Sequence, residues 1–162
     1  MDVVDVLMEM RLRIDKGWCQ YQLWMFDAEF YPHQSDQDDK IVLQALPLLT
    51  EHINARCLLG SLYESLSEQD RQEWLDMEDY LSHAPDLVMD VMQSLQQTGI
   101  NHYHRDYSCC PYRRDDSQGE GDRVQFLFHC ISSFNDTEGR TKEEVLERLD
   151  MAISNELDKI YA

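Results

Sequence analysis

The chain has 162 residues, 43% hydrophobic and 10% aromatic, enough for a packed core, which excludes a disordered acidic tail. Six Gly and four Pro exclude collagen-like and low-complexity chains. Fourteen Lys and Arg against 32 Asp and Glu give a net charge of −18, which argues against general binding to DNA, RNA or anionic lipid, because like charge opposes approach.

Residues 3–15 read as an amphipathic helix, with Val3, Val6, Leu7, Met10 and Ile14 at helical spacing and Gly17 placed to stop it. The aromatic stretch from Trp18 to Tyr31 alternates poorly and reads as a short strand or an irregular packing segment. Tyr31-Pro32-His33 signals a turn. Ser35 or Asp36 is placed to cap a short helix over 38–47, ending at or near Pro47. Asp36, Asp38 and Asp39 do not make a calcium loop, since the Gly and terminal Glu of an EF-hand loop are absent. The strongest buried helix is expected to start at Thr50 or Glu51 and run through Ile53, Ala55, Cys57, Leu58, Leu62 and Leu66. Gly60 inside it costs about 1 kcal/mol relative to Ala, for which a close helix–helix contact is the ordinary compensation.

Ser67 caps the next helix, with acids in its first turn and Trp74, Leu75, Met77 and Leu81 on its apolar face. Ala84-Pro85-Asp86 breaks it, and Leu87, Val88, Val91, Met92 and Leu95 form another that stops at Thr98-Gly99. From Ile100 to Asp122 periodicity is lost, which makes this stretch the first place to look for a binding surface. The apolar run Val124–Ile131 fits a buried strand or a helix, and its helical neighbours favour helix. His129 within it reads as a core histidine rather than a general base. Asn135–Gly139 is a turn, Thr141 and Glu144 form a capping box, and a last helix carries Val145, Leu149, Ala152, Ile153, Leu157 and Ile160. The expected fold is mostly α: a single-domain bundle of about five to six helices over 1–162, with an irregular 100–122 loop and room for one short strand pair. No apolar run approaches the ~20 residues that span a bilayer. The start, Met1-Asp2-Val3-Val4-Asp5, lacks the features of a signal peptide, so a cytoplasmic location is expected.

The charge is unevenly spread. Between Cys57 and His104 the one basic residue, Arg71, faces Glu64, Glu68, Asp70, Glu73, Asp76, Glu78, Asp79, Asp86 and Asp90, a net of −8. Between Gly17 and Ala55 Lys40 stands alone against six acids, among them Asp36, Asp38 and Asp39. A merely solvated acidic surface and a functional acidic face both fit this pattern. The five cysteines, odd in number, fit a reducing compartment, and Cys57 and Cys130 sit in apolar runs as small hydrophobes do. His102, His104, Cys109 and Cys110 hold zinc-type ligands, but adjacent cysteines are not the usual Cys-x-x-Cys knuckle. The alternative is a polar, Tyr-rich loop with exposed histidines. Cys109, close in sequence to Arg105, Arg113 and Arg114, has the surroundings that lower a thiol pKa.

Three pieces resemble a family of small uncharacterised helical domains found in actinobacteria and phages. They are a helix ending in Gly17-Trp18-Cys19-Gln20, the Arg56-Cys57-Leu58-Leu59-Gly60-Ser61 helix, and Phe134-Asn135-Asp136 with the closing helix. The likeness covers roughly the first 66 and last 30 residues, so that 67–122 reads as an insertion. Phe134 stands for that family's Trp and Ser61 for its Ala. The resemblance implies a mostly helical domain and a mobile-element setting, and no reaction. Trp18, Gln20, Asn135 and Asp136 either converge on a site or satisfy backbone groups around a turn, and the second reading is preferred.

No nucleophile elbow, phosphate loop, dinucleotide fingerprint or zinc-protease helix is present. The expected function is therefore a non-enzymatic acidic interaction protein that needs no cofactor. It would bind and inhibit a basic host protein, as a nucleic-acid mimic or defence antagonist, through the acids of 64–90 and Asp36, Asp38 and Asp39. The alternative is a small metal- or thiol-dependent enzyme or zinc module built on the 102–110 cluster. The eight Met and eight Tyr leave room for a homodimer interface.

Overall fold

The computed structural model describes residues 1–29, 39–77, 79–80, 83–100 and 120–162. Helix α1, Val3–Lys16, begins at a reciprocal cap. The Asp2 carboxylate accepts from the Asp5 amide and the Asp5 carboxylate from the Asp2 amide, each at 3.0 Å. Val6, Leu7, Met10 and Ile14 are buried on its inner face, as their spacing predicts. Gly17 ends α1 for want of space rather than for a left-handed turn. Its backbone is extended, at φ 177°, and a Cβ there would lie 2.1 Å from the Asn54 carbonyl oxygen.

The aromatic stretch resolves into strand β1, Trp24–Phe26, paired antiparallel with β2, Ile53–Arg56. Trp18 makes a parallel bridge to Arg56, on the edge of β2 that β1 leaves free. This corrects the helix expected from Thr50 or Glu51. Thr50–His52 is one 3-10 turn, Ile53–Arg56 is extended, and the buried helix α4 spans only Leu58–Ser65. Ile53 and Ala55 turn inward while Asn54 is exposed, the period of a strand. The short helix expected over 38–47 is also corrected. Helix α2, Asp39–Gln44, stops before α3, Leu46–Leu49, and Pro47 lies in the first turn of α3, where its missing N–H costs nothing.

Helix α5, Glu68–Asp76, is capped by Ser67, whose hydroxyl accepts from the Asp70 amide at 3.1 Å. Helix α6, Asp86–Gln96, follows Pro85 and runs out at Gly99, which has φ +95°. Helix α7, Glu120–Asn135, settles the apolar run as helix, and it takes Glu120–Asp122 from the expected loop. Helix α8, Lys142–Tyr161, starts at the expected cap: the Thr141 hydroxyl accepts from the Glu144 amide at 3.2 Å. The fold is mostly α, with one two-stranded sheet among the described residues.

Helix α1 is central, packing on α8, α4 and α6. An aromatic series ties α4, α5 and α7 together. The Tyr63 and Trp74 rings stack at 4.6 Å, and Trp74 and Phe128 stack at 5.7 Å. Trp74 is wholly buried and its indole N–H donates to the carbonyls of Tyr80 and His83. Gly60 also departs from expectation. A Cβ there would lie 2.2 Å from the Leu23 carbonyl oxygen, so the close approach is to the segment leading into β1, not to another helix.

Candidate functional site

The residues of the family-like motifs do converge. Asn135 is buried at the end of α7 and its amide faces two ways. Its Oδ1 accepts from Trp18 Nε1 at 2.8 Å and from the Leu58 amide at 3.1 Å. Its Nδ2 donates to the Cys19 carbonyl at 3.1 Å and to Asp136 Oδ1 at 2.9 Å. Asp136 Oδ1 also accepts from the Tyr21 amide at 2.8 Å. Gln20 Nε2 donates to the carbonyls of Asn135 and Thr137, both at 2.9 Å. Cys57 completes the set as N-cap of α4, its sulfur accepting from the Gly60 amide at 3.3 Å.

The partners are mostly backbone groups, so the side chains satisfy the main chain, as preferred from the sequence. The span is wider than one turn. Asn135 and Asp136 fasten the 18–21 loop, the start of α4 and the end of α7 to one another. Tyr21, held there, takes a left-handed backbone at φ 68° and is 71% exposed.

Beneath this clamp lies a buried ion pair. Arg56 Nε donates to Glu64 Oε2 at 2.9 Å, with both side chains almost fully enclosed. Arg56 also donates to the Arg13 carbonyl at 2.8 Å, closing the last turn of α1. Glu64 therefore leaves the expected partner-binding face: its carboxylate is inside and answers Arg56 and Arg13. The sequence signal was its place on the apolar face of the helix, between Tyr63 and Leu66.

The other acids divide clearly. Glu68, Glu73, Asp76, Asp79, Asp86 and Asp90 are exposed, and Asp70 is half-buried beside the Ser67 hydroxyl. Asp36, Asp38 and Glu78 lie outside the described residues, as does the Asp39 side chain at the start of α2. Arg71, the lone base of this stretch, is buried and donates to the carbonyls of Tyr63 and Leu66 at 3.0 and 3.1 Å. Burial holds its pKa below the ordinary value. Among the described residues no ion pair joins a Lys or Arg to the six exposed acids.

His102, His104, Cys109 and Cys110 lie outside the described residues. Among the described residues no group of three His, Cys, Asp or Glu is placed to hold a metal ion. His129, expected in the core, is exposed on α7. Cys19, Cys57 and Cys130 are buried. Burial pushes Cys57 up to about 12 and Cys19 up to about 11, so neither is a thiolate at neutral pH.

These shifts predict alkaline sensitivity. A pKa raised in the folded state gives stability that is complete below the unfolded thiol value, about 8.5, and is lost as pH rises through the folded values. The urea midpoint is expected to fall steadily above about pH 9, and less steeply in a Cys19→Ala/Cys57→Ala variant. Equal slopes in urea titrations of the two proteins would refute this account of the thiols.

Among the described residues no helix is long and apolar enough to cross a membrane. The family model described as "Family of unknown function (DUF6197)" matches residues 1–155. Comparison with curated proteins and with solved structures gave no match. A match over nearly the whole length places the clamp residues Trp18, Asn135 and Asp136 and the acidic α5–α6 segment inside the family's extent, and the chain belongs to this family of unknown function.

Proposed function

We propose that this protein is a non-enzymatic acidic interaction protein that binds a basic partner through the α5–α6 surface. The observation that carries this reading is the burial of Arg71, the one base of this stretch, beside the exposure of Glu68, Glu73, Asp76, Asp79, Asp86 and Asp90, none of which an ion pair joins to a Lys or Arg among the described residues. Elsewhere several of the described bases are engaged within the fold: Arg11 with Asp150, Arg140 with Glu144, Lys142 with Asp15 and Lys159 with Glu156. What remains is an anionic face that attracts basic clefts and repels nucleic acid itself.

Its more specific form is inhibition by presenting carboxylates where a host protein expects DNA or RNA phosphates. The likeness of the Trp18, Cys57–Gly60 and Asn135–Asp136 motifs to domains of actinobacteria and phages supports a mobile-element setting and, with the segregated charge, a defence or DNA-binding target; the odd number of cysteines fits a reducing, cytoplasmic location. No cofactor enters this reading.

The test is capture from host lysate with the wild-type protein and with E73K/D76K/D79K, whose three positions are all exposed. The wild type is expected to retain a basic nucleic-acid-binding protein, which double-stranded DNA and a rise from about 50 to 200 mM salt release. The triple variant is expected to retain none of it. A folded triple variant that holds the same partner sinks the proposal, as does a wild type that holds no basic protein. A partner indifferent to competing DNA sinks the mimicry.

A further inference from the structure

Two buried cysteines meet where the 18–21 loop rounds the end of β2. Trp18 bridges Arg56 in parallel register: the Arg56 amide donates to the Gly17 carbonyl and the Cys19 amide to the Arg56 carbonyl, both at 3.1 Å. One residue further along this register, Cys19 stands beside Cys57. On the other edge the Cys57 amide donates to the Leu23 carbonyl at 3.0 Å. Residues 19–23 therefore pass around Cys57 from one edge of β2 to the other. Cys19 Sγ donates to the Gln22 carbonyl at 3.6 Å, so the sulfur points across this loop rather than away from it. The thiols lie close enough for a charge on Cys19 to raise the pKa of Cys57.

Neighbouring strands run about 4.8 Å apart, and a disulfide spans about 4.4–6.8 Å between Cα atoms, so facing residues of this kind fall in range. Asn135 fixes both backbones, donating to the Cys19 carbonyl and accepting from the Leu58 amide, each at 3.1 Å. The sulfurs themselves are held only by weak contacts, Cys19 to the Gln22 carbonyl and Cys57 to the Gly60 amide at 3.3 Å. Tyr21 and Gln22 beside them are exposed, which gives a small reagent a short way in.

We propose that Cys19 and Cys57 form a reversible disulfide that locks the 18–21 loop to the start of α4. The oxidant is a low-molecular-weight disulfide. The Cys19 thiolate attacks one of its sulfurs, the reagent's S–S bond breaks, and one thiol leaves. Cys57 then attacks the Cys19 sulfur of the mixed disulfide and expels the second thiol. Two protein thiols are oxidised, one reagent disulfide is reduced, and two protons pass to the leaving thiols. Cys19 leads because burial raises it less, to about 11 against about 12 for Cys57. So little thiolate makes closure slow at neutral pH, and it also leaves the reduced pair without the thiolate stabilisation that would favour reopening. The pair is separate from the α5–α6 face and does not depend on that reading.

The test equilibrates the folded protein with reduced and oxidised glutathione at about pH 8, followed by an acid quench and alkylation. Trypsin cuts after Lys16, Lys40, Arg56 and Arg71, which places Cys19 in 17–40 and Cys57 in 57–71. Mass spectrometry is expected to find these two peptides linked in the wild type, and to find no such link in C19S or C57S. The equilibrium constant of closure against glutathione is expected to be about tenfold or more higher in the folded protein than in about 8 M urea. The fold holds the two sulfurs together, whereas the open chain must close a loop through residues 20–56. Glutathione adducts without the 19–57 link overturn the proposal. So does a link from either residue to a different cysteine, or a closure constant no higher in the folded protein than in urea.

Discussion

Replacing Asn135 by alanine is expected to lower the free energy of unfolding by about 3–4 kcal/mol. The change removes one side chain and strands several groups. The Leu58 amide and the Cys19 carbonyl, both at buried residues, lose the partners they have at 3.1 Å. An unsatisfied buried group costs about 1–3 kcal/mol, and two such groups account for most of the loss. Trp18 Nε1 lies in a half-buried residue and recovers part of its bond from water. The thermal midpoint is expected to fall by about 10 °C for a chain of this size. Asn135→Asp is expected to be about as damaging, because an oxygen then faces the Cys19 carbonyl and the Asp136 carboxylate where Nδ2 donated. Asp136→Asn, which keeps an acceptor for the Tyr21 amide at a half-buried position, is expected to cost about 1 kcal/mol or less. Urea unfolding checks all three. A loss below about 1 kcal/mol for Asn135→Ala would mean that water replaces the side chain, and that the clamp is not what fixes the 18–21 loop.

The clamp shows where sequence reading reaches and where it stops. Asn135 and Asp136 stood out by type and position, and helices α1, α6 and α8 were legible because one face of each is apolar at helical spacing. The main error, over 50–66, has a physical source. Ile53, Ala55 and Cys57 alternate with Asn54 and Arg56, a strand pattern, but the apolar run beginning at Leu58 masks it. The strand exists because β1 lies 27 to 32 residues earlier to pair with it, a long-range fact that a local window does not contain. Gly60 was read through helix propensity, whereas the Leu23 carbonyl decides it. Glu64 and Arg71 were counted as surface charges because charge counting ignores which face of a helix a residue occupies. Leu157 and Ile160 erred in the opposite direction: helical spacing put them on the apolar face of the last helix, and the packing of α8 leaves them exposed.

Glu64 gives the second large effect. Removing its carboxylate leaves the Arg56 guanidinium, in a residue 4% exposed, without the countercharge it holds at 2.9 Å. Breaking one side of a buried pair costs about 3–5 kcal/mol, because the remaining charge stays out of water. Glu64→Ala is therefore expected to lose about that much, and Glu64→Gln less, since the amide still offers one oxygen to Arg56. Removing both charges, in Arg56→Met/Glu64→Leu, distinguishes the pair from its surroundings. If Coulomb attraction between buried partners is the main contribution, the double variant is more stable than Glu64→Ala alone, with a coupling of about 2 kcal/mol or more. It does not return to wild type, because the carbonyls of Arg13 and Ile53 lose the donors that Arg56 supplies at 2.8 and 3.3 Å. The residual deficit of the double variant measures how far Arg56 closes the end of α1, and the coupling measures the ion pair. Urea midpoints of the three proteins, read with unchanged m-values, separate the two roles. A Glu64→Ala protein within about 1 kcal/mol of wild type would show that water or Arg13 rearranges to solvate Arg56, and the pair would then be a polar contact rather than a support of the α1–α4 packing.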